Sequence, residues 1–135
     1  IDTLQAMAWG AQKRLSDEEG LLCPMIDARR MEVYSAIYDM QLQQQRKIAA
    51  DIIEEDSYSD YLSHQKVFFF GDGSEKCAEV LSSENAKFMK DLFPSASFLG
   101  ELGYLKYQKE DFEDVAYFEP YYLKEFIALK GKKLV

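Results

Sequence analysis

Leu4, Met7, Ala8, Ala11 and Leu15 recur every three or four residues, the spacing of an apolar stripe along one helix. Asp2 or Thr3 can cap that helix by accepting a backbone N–H, and the polar run Ser16–Gly20 ends it. The pattern then changes period. Leu21–Ile26 is a continuous apolar run too short for an ordinary helix and suited to a buried strand. After it, Met31, Val33, Ser35 and Ile37 alternate with Glu32, Tyr34, Ala36 and Tyr38, as strand neighbours do. A weaker third strand is expected around Lys47–Ile53, behind a polar turn at Gln41–Gln45. These strands predict an antiparallel meander.

Downstream, Glu54–Ser57 is expected to cap a short helix, Tyr58–His64. Val67–Phe70 reads as a second buried strand that stops at Gly71-Asp72-Gly73-Ser74. A helix is expected from there through Ala78 and Leu81, and a short strand within Phe88–Phe93. Pro94-Ser95 opens a last helix with Phe98, Leu99, Leu102 and Leu105 inward. The tail around Tyr117–Lys124 sets a proline among aromatics and reads as an extended segment laid over the body. The order predicts an α/β domain with a mixed sheet and helices packed on it.

Composition narrows the function more than the fold. At 135 residues, 47% hydrophobic and 14% aromatic, the chain has enough apolar matter for one globular core. Its net charge of −8 removes any overall attraction for a nucleic-acid backbone. No apolar run approaches the roughly 20 residues that span a bilayer. Cys23 and Cys77 both sit in apolar or helix-like settings, as buried thiols in a reducing cytoplasm do. Ile1 reads as the start of a helix already under way, so a longer parent protein is expected.

Two stretches are candidates for chemistry. Gly71, Asp72, Gly73 and Ser74 join a strand to a helix, where glycines admit a close ligand and free N–H groups meet an anion. The same residues serve equally as an ordinary turn with Ser74 as cap. Asp27, Arg29 and Arg30 form a charged corner between strands, able to orient a substrate or clamp a phosphate. Against this, bulky arginines and Met31 fill the place where a phosphate-cradling backbone needs small residues, and Asp27 can simply bind turn N–H groups and pair with an arginine. His64 is the single histidine, so neither a zinc set nor a nucleophilic triad is apparent. The acidic runs Glu54–Asp56 and Glu110–Asp114 read as solvated faces.

The succession TLQAMAWGA, MIDARRMEVYSAIYD, VFFFGDGSEK, LFPSA and EPYYLKEF resembles the C-terminal half of the TsaB (YeaZ) family over nearly the whole chain. The IDAR–EVY strand pair and EPYYLK are the most specific of these marks. The resemblance implies one ribonuclease-H-like subdomain of the actin-like ATPase superfamily, in a family also described as glycoprotease-like (peptidase M22). Residues 1–135 would then be a single C-terminal subdomain whose N-terminal partner half is absent. By the resemblance, Leu21–Tyr38 is the hairpin with which relatives meet phosphates, and Gly71–Ser74 stands where they hold adenosine.

The resemblance further implies a cytoplasmic, non-catalytic scaffold acting with TsaD-like and TsaE-like proteins to make threonylcarbamoyladenosine in tRNA. It implies no cofactor or metal of its own, ATP or ADP only in the assembled complex, and tRNA contact only through that complex. Loss of the N-terminal half, implied to carry the main TsaD contact, predicts self-association through an uncovered apolar face. Two other readings stand beside it: an enzyme, metallopeptidase-like or ATP-using, and a generic protein-binding module that uses the aromatic tail.

Overall fold

The computed structural model describes residues 1–124. Helix α1, Thr3–Arg14, buries Leu4, Ala6, Met7, Ala8, Gly10 and Ala11, and places Lys13 and Arg14 at the negative end of its dipole. Asp2 stands at the cap position in extended conformation but makes no side-chain cap bond. Strands β1 (Leu21–Asp27), β2 (Glu32–Asp39) and β3 (Gln44–Ile52) follow as an antiparallel meander. Helix α2 is one turn, Ser59–Leu62. Strand β4 (Val67–Phe70) lies parallel to β1, and β5 (Ala86–Phe88) parallel to β4. Helix α3 spans Ala96–Gln108. The five-stranded sheet runs β3-β2-β1-β4-β5, so the mixed sheet with flanking helices is as expected.

Both sheet faces are covered, which is why β1 as far as Ile26 and all of β4 are apolar rather than alternating. On one face Met7, Ala8 and Ala11 of α1 pack on Leu22, Ala36, Tyr38, Phe68 and Phe70. On the other, Cys23, Met25, Val33, Ile37 and Phe69 meet Ile53, Leu62, Cys77 and Leu81. Phe69 stacks on Phe88 at 5.3 Å and touches the Tyr58 ring at 5.5 Å.

Several elements differ from the sequence expectation. β3 begins three residues earlier than Lys47, because polar Gln44–Arg46 still pair with β2 along an open edge. The cap of α2 is Tyr58 in left-handed conformation, while Ser57 binds the Glu54 N–H. The helix expected from Ser74 to Leu81 is a three-residue 3₁₀ turn, Glu75–Cys77. The last strand lies at Ala86–Phe88, fixed by the Val67 N–H bonding the Asn85 carbonyl; beyond it Asp91 turns left-handed. In α3 only Leu102 is buried, since that helix rests on α1 rather than on the sheet; Leu99 and Leu105 are exposed. The tail returns to the body, where Phe118, Tyr121 and Tyr122 share a hollow with Leu4, Ile26 and Ile48, and Lys124 pairs with Glu32 and lies over the Tyr34 ring. Its aromatics do not cover the core: Tyr117, Phe118, Tyr121 and Tyr122 are exposed. Glu125 and Phe126 of the EPYYLKEF stretch lie outside the described residues.

Candidate functional site

In an open sheet, ligands gather where adjacent parallel strands end. Here β1 and β4 run side by side, and their carboxyl ends bring the two sequence candidates together, 45 residues apart in the chain. The Asp27 N–H donates to Asp72 Oδ1 at 3.0 Å, so the Asp72 carboxylate finishes β1's hydrogen bonding. The Gly73 N–H donates to the Met25 carbonyl at 3.2 Å.

The glycines are required by this junction. Gly71 has φ +103°, and a Cβ there would lie 2.2 Å from the Met25 oxygen. A Cβ on Gly73 would lie 2.9 Å from the Ile26 carbonyl carbon and 3.0 Å from Val33 Cγ1. The space that glycine opens is filled by β1 itself. Ser74 is buried in helical conformation, and its hydroxyl donates back to the Gly71 carbonyl at 2.8 Å instead of capping. With a single 3₁₀ turn behind it, the loop has no long helix dipole to offer an anion.

The charged corner is a tight turn with Arg29 and Arg30 both left-handed, φ +73° and +47°. Asp27 Oδ1 accepts the Arg29 N–H at 3.2 Å, and Ala28 and Glu32 close the hairpin. The side-chain partner of Asp27 is Lys76 rather than an arginine. The Lys76 ammonium also donates to the carbonyls of Arg30 at 2.6 Å and Glu32 at 2.7 Å. Its hydrogen bond is the main reason the Asp27 carboxyl sits below the usual range. Lys76 therefore occupies the inside of the hairpin where a phosphate would need donors. Outside it lies a shallow depression lined by Asp27, Asp72, Glu75 and Glu79 together with Arg30 and Lys76, so its acids outnumber its bases and the net charge disfavours an anion. A second hollow of about 250 Å³, between Gly71–Glu75 and Phe88–Phe93, flanks the loop.

A second polar cluster lies across β2, β3 and α2, and the sequence did not single it out. Arg46 grips Asp51 with both guanidinium arms, one at 2.9 Å. Ser35, fully buried, donates to Asp51 Oδ2 at 2.6 Å. The Tyr58 hydroxyl reaches Ser35 at 2.9 Å and Asp51 at 3.2 Å. Arg46 lies over the Tyr58 ring. Burial works to raise the Asp51 pKa, but bonds from Arg46, Ser35 and Tyr58 outweigh it and hold the carboxyl low. Burial pushes the Tyr58 hydroxyl and the Cys23 thiol upward, so neither ionises readily. The available signal was an opposite-charged pair, Arg46 and Asp51, five residues apart in what proves to be one strand.

His64 is exposed just past α2, and the acidic residues of 54–56 and 110–114 are exposed as expected. Among the described residues, no group of three or more His, Cys, Asp and Glu is placed to hold a metal ion. No described helix is long and apolar enough to cross a membrane.

No family model and no curated protein matches the sequence. Solved structures do. One is described as an uncharacterized protein with similarity to peptidase YeaZ from Pseudomonas aeruginosa. It superposes with a TM-score of 0.74 and 20% identity, over 92% of this chain and 57% of that one. YeaZ from Pseudomonas aeruginosa superposes with a TM-score of 0.59 and 19% identity, over 82% of this chain and 52% of that one. The chain thus shares the mixed α/β fold of these YeaZ structures and spans a little over half the length of the structures it matches.

Proposed function

We propose that the chain is the C-terminal lobe of a TsaB-type subunit, a non-catalytic scaffold acting with TsaD-like and TsaE-like proteins to make threonylcarbamoyladenosine in tRNA. The observation that carries this reading is the structural likeness to YeaZ, at a TM-score of 0.74 over 92% of the chain. The packing of the junction supports a scaffold: Lys76 neutralises the Asp27 corner, and the glycines of the GDGS loop admit β1. The acidic surface fits an indirect relation to tRNA. Nucleotide, in this reading, belongs to the assembled complex, and the cytoplasm is its compartment.

Deletion of the full-length gene should deplete threonylcarbamoyladenosine in total tRNA, measured by nucleoside mass spectrometry. Unchanged levels refute the proposal. A Lys76→Met allele that still folds should restore the nucleoside, since the corner does no chemistry. If that allele fails while its protein is stable, and calorimetry shows the wild-type protein alone binding ATP, the enzymatic reading replaces the scaffold. Gly73→Val is unsuited to that comparison because its side chain collides with β1.

A further inference from the structure

The segment from Glu110 to Tyr122 is unlike the rest of the surface. Glu110, Asp111, Glu113, Asp114 and Glu119 fall within ten residues that contain no lysine or arginine. Between them stand Phe112, Val115, Tyr117 and Phe118, exposed by 65%, 93%, 84% and 63%, with Tyr121 and Tyr122 following. Phe118, Tyr121 and Tyr122 rim a hollow on the body with one side each, yet stay mostly exposed, and globular domains rarely leave so many large apolar side chains uncovered in one segment. The segment is also shaped. Asp114 accepts the Ala116 N–H on its carboxylate at 2.9 Å, and its carbonyl accepts the N–H groups of Tyr117 and Phe118. Lys106 holds Asp111 at 3.2 Å, and Phe112 meets the Tyr107 ring edge-on.

We propose that residues 110–122 are a docking segment for a protein surface of positive charge with apolar pockets. Aromatic side chains are the usual anchors of interfaces, and a turn already closed lowers the ordering cost of binding. The carboxylates select the partner's sign and speed its approach. A second copy of this chain is disfavoured as occupant, since each carries a net charge of −8. The same sign repels nucleic acid and anionic lipid. The inference does not rest on the scaffold reading and survives its failure.

The test installs a photo-crosslinking phenylalanine analogue in place of Tyr117 in the full-length parent protein, irradiated in cells. The expected product joins position 117 to one other protein at a peptide rich in lysine or arginine. That protein, purified, should bind the wild-type parent in a salt-sensitive way. Asp111→Asn/Glu113→Gln/Glu119→Gln should weaken binding about tenfold at low salt and flatten the salt dependence. Phe118→Ala should weaken it about tenfold or more at any salt. Absence of any product, or a crosslink to the same chain, a second copy, lipid or RNA, overturns the proposal. So does a captured protein whose binding ignores both sets of substitutions.

Discussion

Replacing Asp51 with alanine strands a guanidinium. Arg46 would lose both bonds to the carboxylate and keep only its 3.3 Å bond to Ser35 Oγ, while Ser35 and Tyr58 keep each other at 2.9 Å and are not orphaned. Removing one partner of a fully buried ion pair costs about 3–5 kcal/mol. Here the Arg46 side chain keeps 29% of its exposure and Asp51 16%, so water can reach part of the site. That discount brings the expected loss to about 2 kcal/mol. For a chain of this length it corresponds to about 6–10 °C in Tm. Removing one negative charge from a chain of net −8 works the other way, so the loss must come from the network.

The assay is urea unfolding followed by circular dichroism, where the midpoint should fall with the slope unchanged. Arg46→Met/Asp51→Ala should lose less than the sum of the two single substitutions, because no stranded charge remains. The pH dependence has a definite sign. Asp51 is held below the ordinary 3.8, so its contribution is complete above that value and vanishes as pH falls through the lower folded pKa. The gap between wild type and Asp51→Ala should therefore close in acid. A loss below about 0.5 kcal/mol, strict additivity, or a gap indifferent to pH would refute the account.

Gly71→Ala should leave little folded protein, since its Cβ collides with the Met25 carbonyl at positive φ, whereas Gly100→Ala, with nothing within 4 Å, should raise stability by about 0.5–1 kcal/mol. Thermal melts of the pair separate a packing glycine from a spare one; equal behaviour would contradict the junction described above. Arg30→Gly should stabilise by up to about 1 kcal/mol by relieving a left-handed arginine, and a lowered Tm would count against that strain. Cys23 and Cys77 are fully buried, and burial pushes both thiols up, so a thiol reagent at pH 8 should label them only after urea is added. Fast labelling of the native protein would show the core to be open.

Strands β1, β2 and β4 were legible because their apolar runs and alternation depend on nearest neighbours in the chain. The edge strand β3 was half legible: with one side open it tolerates Gln44, Gln45 and Arg46, which carry no strand signal. The 3₁₀ turn at Glu75–Cys77 looked like the start of a helix because Ala78 and Leu81 have helical spacing. The chain instead turns back to place Asn85 against Val67. In α3 the apolar spacing was real, but the sheet was already covered by α1, so Leu99 and Leu105 had no face to enter. At the candidate site, the sequence supplied both halves and not their junction. Lys76 reaches Asp27 across 49 residues, a pairing that no local pattern encodes. The expectation of an arginine partner failed because Lys76 holds the Asp27 carboxylate and also binds the carbonyls of Arg30 and Glu32 across the turn.

Gly10 of α1 lies so close to Phe98 that a Cβ there would come within 2.4 Å of the ring. That notch, with buried Leu102 and the surface contacts of Glu101 to Trp9 and Lys13, is how α3 holds to the molecule. A helix fastened along one neighbour opens at a free energy well below that of the whole domain. Residues 96–124 should therefore exchange their amide hydrogens as one early group, while β1 and β4 exchange last. A protease given brief access should cut near Phe93–Ser95 first and leave the sheet with α1 intact. The partner-facing aromatics would then ride on the least stable cooperative unit of the fold, and any partner that grips them would raise the protection of α3 without touching the sheet.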